Sequence, residues 1–254
     1  MSDTRPMVDG VASAPPALPP LYRSLEPLTP ERHGALRVRD AGYAFAAAAN
    51  AVPLAADEFP AAARTLPIVF GAQAPHLPVA LTGLAAGSNL YVQADGTWRP
   101  GAYIPAYLRR MPFFLVRAAP GSEQLVLCLD TRAPQVSGTE GEPLFTEEGK
   151  PTPQLEQALA FTRMVEEGIL RTRAITEGLN GLGLLKAAQV EVPHHGKPLR
   201  IDGFFAVDRS ALMALPAGQL AELRDKGWLE VVYAHLFSLG SLADLARDLA
   251  APAA

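Results

Sequence analysis

Between residues 154 and 179, Leu155, Ala158, Phe161, Val165, Ile169, Thr172, Ile175 and Leu179 recur at three- and four-residue steps. Arg163, Glu166, Glu167, Arg171 and Arg173 fall mostly elsewhere. That period belongs to a helix, and it predicts a single long amphipathic helix from Gln154 to Leu179 whose apolar stripe must be buried against another layer. Glu167 precedes Arg171 by four residues, the favourable order for a surface ion pair. Gly178, Gly181 and Gly183 loosen the end of this helix. No internal repeat or heptad run accompanies it.

The layer it needs is supplied by residues 36–135, which read as short strands and turns. Tyr43 and Phe45 alternate, Pro67–Phe70 is a brief apolar run, and Val79–Leu84 and Leu90–Val92 flank a turn-rich segment. Asp95-Gly96 is a tight-turn dipeptide because both residues tolerate positive φ, and Trp98 opens the return strand. Phe113–Val116 and Leu125–Leu129 supply two more strands. One short helix begins at Asp57 as cap and runs from Glu58 to Arg64, and another spans Ala106–Met111 before Pro112 ends it. Thr131–Glu142 reads as a polar loop.

Beyond the long helix, Gln189–Val192 and Leu199–Val207 form a hairpin around His194–Lys197. Asp208 caps a helix to Leu215, a helix from Gly218 to Lys226 stops at Gly227, and Ser241 starts the last helix. Trp228–Phe237 fits strand or helix. The fold class is therefore α+β, a mixed or antiparallel sheet packed by one long helix and C-terminal helices. Seven of the first thirty residues are proline, so residues 1–35 read as a flexible lead-in and 36–254 as the folded domain.

Charge and composition remove several function classes. With 22 Lys+Arg against 26 Asp+Glu in 254 residues, the net charge of −4 argues against a broad basic face for nucleic acid or anionic lipid. The one cysteine, Cys128, sits in an apolar run and reads as a small buried hydrophobe. The Ala44–Ala56 stretch is apolar, but Asn50 and Pro53 interrupt it and it falls short of the ~20 residues of a membrane span. The first ten residues have no hydrophobic core of an export signal, so the expected location is cytoplasmic.

Chemical motifs are sparse. His194 and His195 are adjacent, which on a strand sends them to opposite faces, and no further ligand accompanies them, so no metal site is expected. His33, His76 and His235 are isolated. Gly178, Gly181 and Gly183 follow a helix, whereas a dinucleotide-binding loop opens one. No catalytic residues or cofactor are assigned. The densest chemistry lies between Gly96 and Phe113, where Trp98, Tyr103, Arg109 and Arg110 combine rings with guanidinium groups suited to a carboxylate, a sugar or a peptide. These four and Glu58 are the candidate ligand-binding residues. Arg109 and Arg110 diverge by about 100° on a helix, so one faces a pocket and the other is solvated or paired with Glu58 or Asp130.

Leu66-Pro67-Ile68-Val69-Phe70, Tyr103-Ile104-Pro105-Ala106-Tyr107-x-Arg109-Arg110-x-Pro112-Phe113, Leu127-Cys128-Leu129-Asp130 and Gly227-Trp228-Leu229-x-x-x-Tyr233-Ala234-His235 resemble the bacterial SapC family. The resemblance covers about residues 40–250. It implies association with paracrystalline surface layers, or an accessory role near flavin-dependent halogenase-like enzymes and outer-membrane nutrient receptors, and it brings no general catalytic residue set. The expectation is a non-enzymatic binding protein whose partner is a protein, a small molecule or a second copy of the chain. The alternative is a cytoplasmic enzyme or ligand sensor using a pocket around Trp98, Tyr103, Arg109 and Glu58. An envelope location would require leaderless export.

Overall fold

A computed structural model describes residues 18–119, 121–194 and 197–250. Strand β1 (Leu25–Pro27), helix α1 (Pro30–His33) and strands β2 (Arg37–Val38) and β3 (Ala51–Pro53) come first. Helix α2 (Phe59–Ala62) leads to β4 (Ile68–Gly71) and β5 (Pro78–Leu81). Helix α3 (Ala106–Arg109) precedes β6 (Phe113–Arg117), β7 (Leu125–Asp130), β8 (Val136–Ser137) and β9 (Glu142–Pro143). The long helix α4 (Pro153–Gly181) is followed by the hairpin β10 (Leu185–His194) and β11 (Lys197–Val207). Helices α5 (Arg209–Met213), α6 (Ala217–Asp225), α7 (Trp228–Ser238) and α8 (Ser241–Ala250) follow.

All the described strand pairs are antiparallel, in the orders β10-β11-β4-β5-β3, β1-β7-β6 and β8-β2-β9. The class is α+β, as the residue pattern implies. Helix α4 packs on β6 and on the 3-10 turn Ala56–Glu58, while α7 lies over β4 and β11.

Helix α4 starts where Thr152 Oγ1 accepts from the Leu155 N–H and Pro153 occupies the first turn, where its missing N–H costs nothing. Its buried face is Leu155, Thr162, Val165, Gly168, Thr172, Thr176 and Leu179. Phe161, Ile169 and Ile175 of the expected stripe are only half-buried. Three threonines can be buried because each hydroxyl donates to a carbonyl one turn back: Thr162 to Ala158 at 2.7 Å, Thr172 to Gly168 at 2.6 Å and Thr176 to Thr172 at 2.9 Å. Gly178 lets another element close in, since a Cβ there would lie 2.1 Å from the Trp228 ring.

Several expectations are corrected. Residues 22–35 are part of the fold rather than a flexible lead-in. The fully buried Asp130 carboxylate accepts from the N–H groups of Arg23 at 2.7 Å and Ser24 at 3.0 Å, and Leu25 then pairs with Asp130 as β1 joins β7. Residues 1–17 of that segment, and His195 in the hairpin turn, lie outside the described residues.

Residues 44–46 form a 3-10 turn, because Tyr43 packs its ring on Trp98 with centroids 5.6 Å apart instead of joining a ladder. Leu90–Val92 does not form a strand: the Leu90 N–H donates to Thr82 O at 2.7 Å, and Val92 makes an isolated bridge with Trp98. The Asn89 side chain takes the ladder's place, donating to Ala46 O at 3.0 Å and accepting from Tyr91 N–H at 2.9 Å. The Asp95-Gly96 turn forms as expected, with Gly96 at φ 83°.

The helix after Asp57 is a 3-10 turn followed by α2 and ends at Ala62. Asp57 caps nothing there; it pairs with Arg171, which takes Arg171 from its expected partner Glu167. The 131–142 segment contains β8 and begins β9, both paired with β2. Trp228–Phe237 is helical. Trp228–Leu249 is long and apolar enough, by length and composition, to cross a membrane. A turn at Leu239–Gly240 interrupts it, and Val231, Val232, Leu242, Leu245 and Ala246 are buried in the domain.

Candidate functional site

Glu58 ends the 3-10 turn, and its carboxylate organises three backbone and side-chain donors. Oε2 accepts from the Ala55 N–H at 2.9 Å, in the manner of a glutamate reaching back to the start of a helix. Oε1 accepts from the Tyr103 hydroxyl at 2.9 Å and from the Ala106 N–H at 2.6 Å. The Ala106 contact fixes the start of α3, so Glu58 sets where Arg109 and Arg110 stand. Burial, and then the neighbouring Glu58 charge, push the Tyr103 phenol up to about 12, which keeps it a donor to that carboxylate.

Trp98 is buried in an aromatic cluster. It stacks on Tyr91 with centroids 5.5 Å apart, and its Nε1–H donates to Tyr103 O at 3.2 Å. Arg109 is exposed. Its Nε donates to Ile104 O at 3.0 Å and a terminal nitrogen to the Tyr103 hydroxyl at 3.2 Å, while the guanidinium carbon lies 5.1 Å from the Phe161 ring centre. Arg109 therefore straps the α3 loop to α4.

Arg110 points the other way, as the helical geometry requires. Its side chain is 1% exposed and donates to Glu166 Oε1 on α4 at 2.5 Å. The guanidinium carbon lies 4.5 Å from the Tyr107 ring centre and 4.1 Å from that of Phe114. Among the described residues, nothing accepts from its Nε–H. The partner is thus Glu166, and neither arginine pairs with Glu58 or Asp130.

Arg110, Glu166 and Glu58 line a half-enclosed cleft of about 240 Å³ whose other walls include Pro19, Pro20, Leu54, Leu77, Val165 and Ile169. Tyr107 holds the proline wall by donating from its hydroxyl to Pro20 O at 2.7 Å. Of the five candidates, the structure brings Glu58 and Arg110 to this cleft. Trp98 goes to the core, Tyr103 lies between Glu58 and Arg109, and Arg109 goes to the surface.

Glu166 and the Pro19-Pro20 wall escaped the sequence reading. Glu166 sits among charges that read as solvated, and only its contact with Arg110, 56 residues away, distinguishes it. Pro19 and Pro20 carry no local sign of their packing.

The remaining chemical features have structural uses. Cys128 is buried, and burial pushes its thiol up from the usual range. Among the described residues, His, Cys, Asp and Glu do not gather into a group able to hold a metal ion. Gly183, at φ 68°, turns the chain out of α4 toward β10.

These features define an α+β domain with an apolar cleft that has a buried arginine, paired with a half-buried glutamate, in its wall. The sequence profile of the SapC family matches residues 28–245, and the chain belongs to that family. No curated protein and no solved structure matches the chain.

Proposed function

We propose that this SapC family member is a non-enzymatic accessory binding protein, associated with the bacterial surface layer, whose recognition element is the cleft between α3 and α4. The observation that carries this reading is how the candidate polar groups are spent. The Glu58 oxygens accept three hydrogen bonds, Arg109 straps a loop, and Arg110 is neutralised by Glu166 inside largely apolar walls. Such a surface holds a ligand by burial and shape and leaves no charged group poised to attack one. Family membership supports the surface-layer association.

The small-molecule scale of the cleft also favours a second reading, a ligand-sensing component working beside halogenase-like flavoproteins and nutrient receptors. Fractionation of the producing cells, with capture of partners on the full chain, tests the first reading. It expects the chain in the envelope fraction with a surface-layer subunit. A purely cytosolic distribution with no envelope partner rejects that association. Turnover by the purified protein that one cleft replacement abolishes would reject the non-enzymatic role.

A further inference from the structure

With one exception, the polar side chains in the walls of the cleft are spent within the protein. Both Glu58 oxygens accept internal hydrogen bonds, and Tyr107 donates to Pro20. The Thr172 hydroxyl accepts from the Ala56 N–H at 2.7 Å and donates to Gly168 O at 2.6 Å. Arg110 pairs with Glu166 and has the phenol oxygens of Tyr22 and Tyr107 beside its guanidinium, and its Nε is wholly enclosed, out of reach of anything in the cleft. A group that enters here finds no side-chain hydrogen-bond partner inside. It must be hydrocarbon, because a polar atom buried without a partner is penalised.

The exception is Glu166. Its Oε1 accepts from Arg110, but among the described residues Oε2 has no hydrogen bond, and 23% of the side chain is exposed. Charge points the same way. Glu58 and Glu166 bring two carboxylates to the cleft against the single guanidinium of Arg110. Arg109 touches Glu58 only through the Tyr103 hydroxyl, Asp57 and Arg171 neutralise each other, and Arg163 and Arg173 of α4 are exposed outside the walls. An anionic head at the mouth would meet an excess of negative charge, and a cationic head is drawn to it.

Size limits the rest. A dry apolar cavity of about 150 Å³ takes benzene, so the 240 Å³ here has room for roughly ten heavy atoms, a ring or branched chain with a short tether.

We infer that the cleft binds a small amphiphilic amine, its ring or branched hydrocarbon end inserted between α3 and α4 and its ammonium at the mouth, donating to Glu166 Oε2. The inference rests on the cleft being the recognition element, and it commits that site to one ligand chemistry. Apolar burial supplies most of the affinity, and the charged end supplies orientation and selectivity.

The test is a solution NMR titration of the full chain at pH 7 with three probes that share one hydrocarbon and differ in the head: 2-phenylethylamine, 2-phenylethanol and 3-phenylpropionate. The Leu54, Leu77, Val165 and Ile169 methyl signals report insertion. The amine should shift them saturably, binding about threefold tighter than the alcohol and about tenfold tighter than the carboxylate. Raising the salt to about 1 M should close most of these gaps while the alcohol binds as before. Glu166→Gln, which keeps an acceptor for Arg110, should abolish the preference for amine over alcohol and leave the methyl shifts in place. Ile169→Phe, which fills the cleft from the partly exposed side of α4, should weaken all three probes about tenfold while unfolding stays cooperative.

Equal or tighter binding of the alcohol or the carboxylate at low salt overturns the amine assignment and leaves the cleft standing as a recognition element. Methyl signals indifferent to all three probes overturn both. The salt series needs no variant, and neither result depends on where in the cell the protein resides.

Discussion

His235 donates from Nδ1 to the carbonyl oxygen of Ile68 at 2.9 Å, and one turn later Ser238 Oγ accepts from the Ile68 N–H at 2.9 Å. A single strand residue thus has both backbone groups satisfied by side chains of α7. The other imidazole nitrogen, Nε2, accepts from the Val207 N–H at 3.1 Å, so His235 bridges β4 and β11 where their ladder has parted. An accepting Nε2 requires the neutral ring.

Burial lowers the His235 pKa to about 4, against 6.5 for a free imidazole. The unfolded chain therefore takes up a proton between these values while the folded chain resists it. This contribution to stability is fully present above about pH 6.5 and is lost as pH falls toward 4, by about 3 kcal/mol in total. Urea unfolding at pH 7.5 and 4.5 should show the loss, and His235→Gln should flatten the slope while lowering stability at pH 7.5. An unchanged slope in that variant would rule out His235 as the source.

The Arg110–Glu166 pair should be far more sensitive to losing one member than to losing both. Glu166→Ala leaves a buried guanidinium uncompensated, at a cost of about 3 kcal/mol, whereas Arg110→Met with Glu166→Leu should come within about 1 kcal/mol of the parent. Denaturant midpoints of the single and double variants read this directly. Equal losses in both would mean that the pair contributes net stability.

Gly178→Ala separates helix propensity from packing. On propensity alone the change should stabilise α4 by about 1 kcal/mol. The new methyl would sit 2.1 Å from the Trp228 ring, an overlap that forces α4 and α7 apart. Overpacking of this kind costs about 1–3 kcal/mol, so the net expectation is a lower melting temperature with altered Trp fluorescence. A higher melting temperature would show that Trp228 swings aside freely.

Glu58 and Arg109, which look equivalent as candidate binding residues, should behave differently. Glu58→Gln cannot accept from all three donors and should cost about 1–3 kcal/mol. Arg109→Ala removes an exposed strap and should change stability by about 0.5–1 kcal/mol. Thermal unfolding of the two variants checks the contrast. Comparable losses would place Arg109 among the structural supports of α3.

Local chemistry made much of this fold legible in the sequence. The α4 period, the Asp208 cap, the Asp95-Gly96 turn and the β10–β11 hairpin each depend on neighbours within a few residues. The misread segments depend on distant partners. Asn89 replaces a ladder with its own amide, Asp130 recruits Arg23 and Ser24 into the domain, and Asp57 takes Arg171 away from Glu167. For the cleft, helical geometry showed that Arg109 and Arg110 must diverge. Which one turned inward was decided by Glu166, Tyr107 and Phe114, side chains that meet only after packing.

The place of β11 in the sheet bears on how the protein is made. Strand β4 is complete by Gly71, but its outer neighbour arrives only after α4, and the His235 bridge later still. A nascent chain paused on the ribosome beyond Gly181 therefore displays an apolar Ile68–Phe70 edge with no strand beside it. That is the interval in which edge-to-edge aggregation competes with folding and in which a chaperone has most to protect.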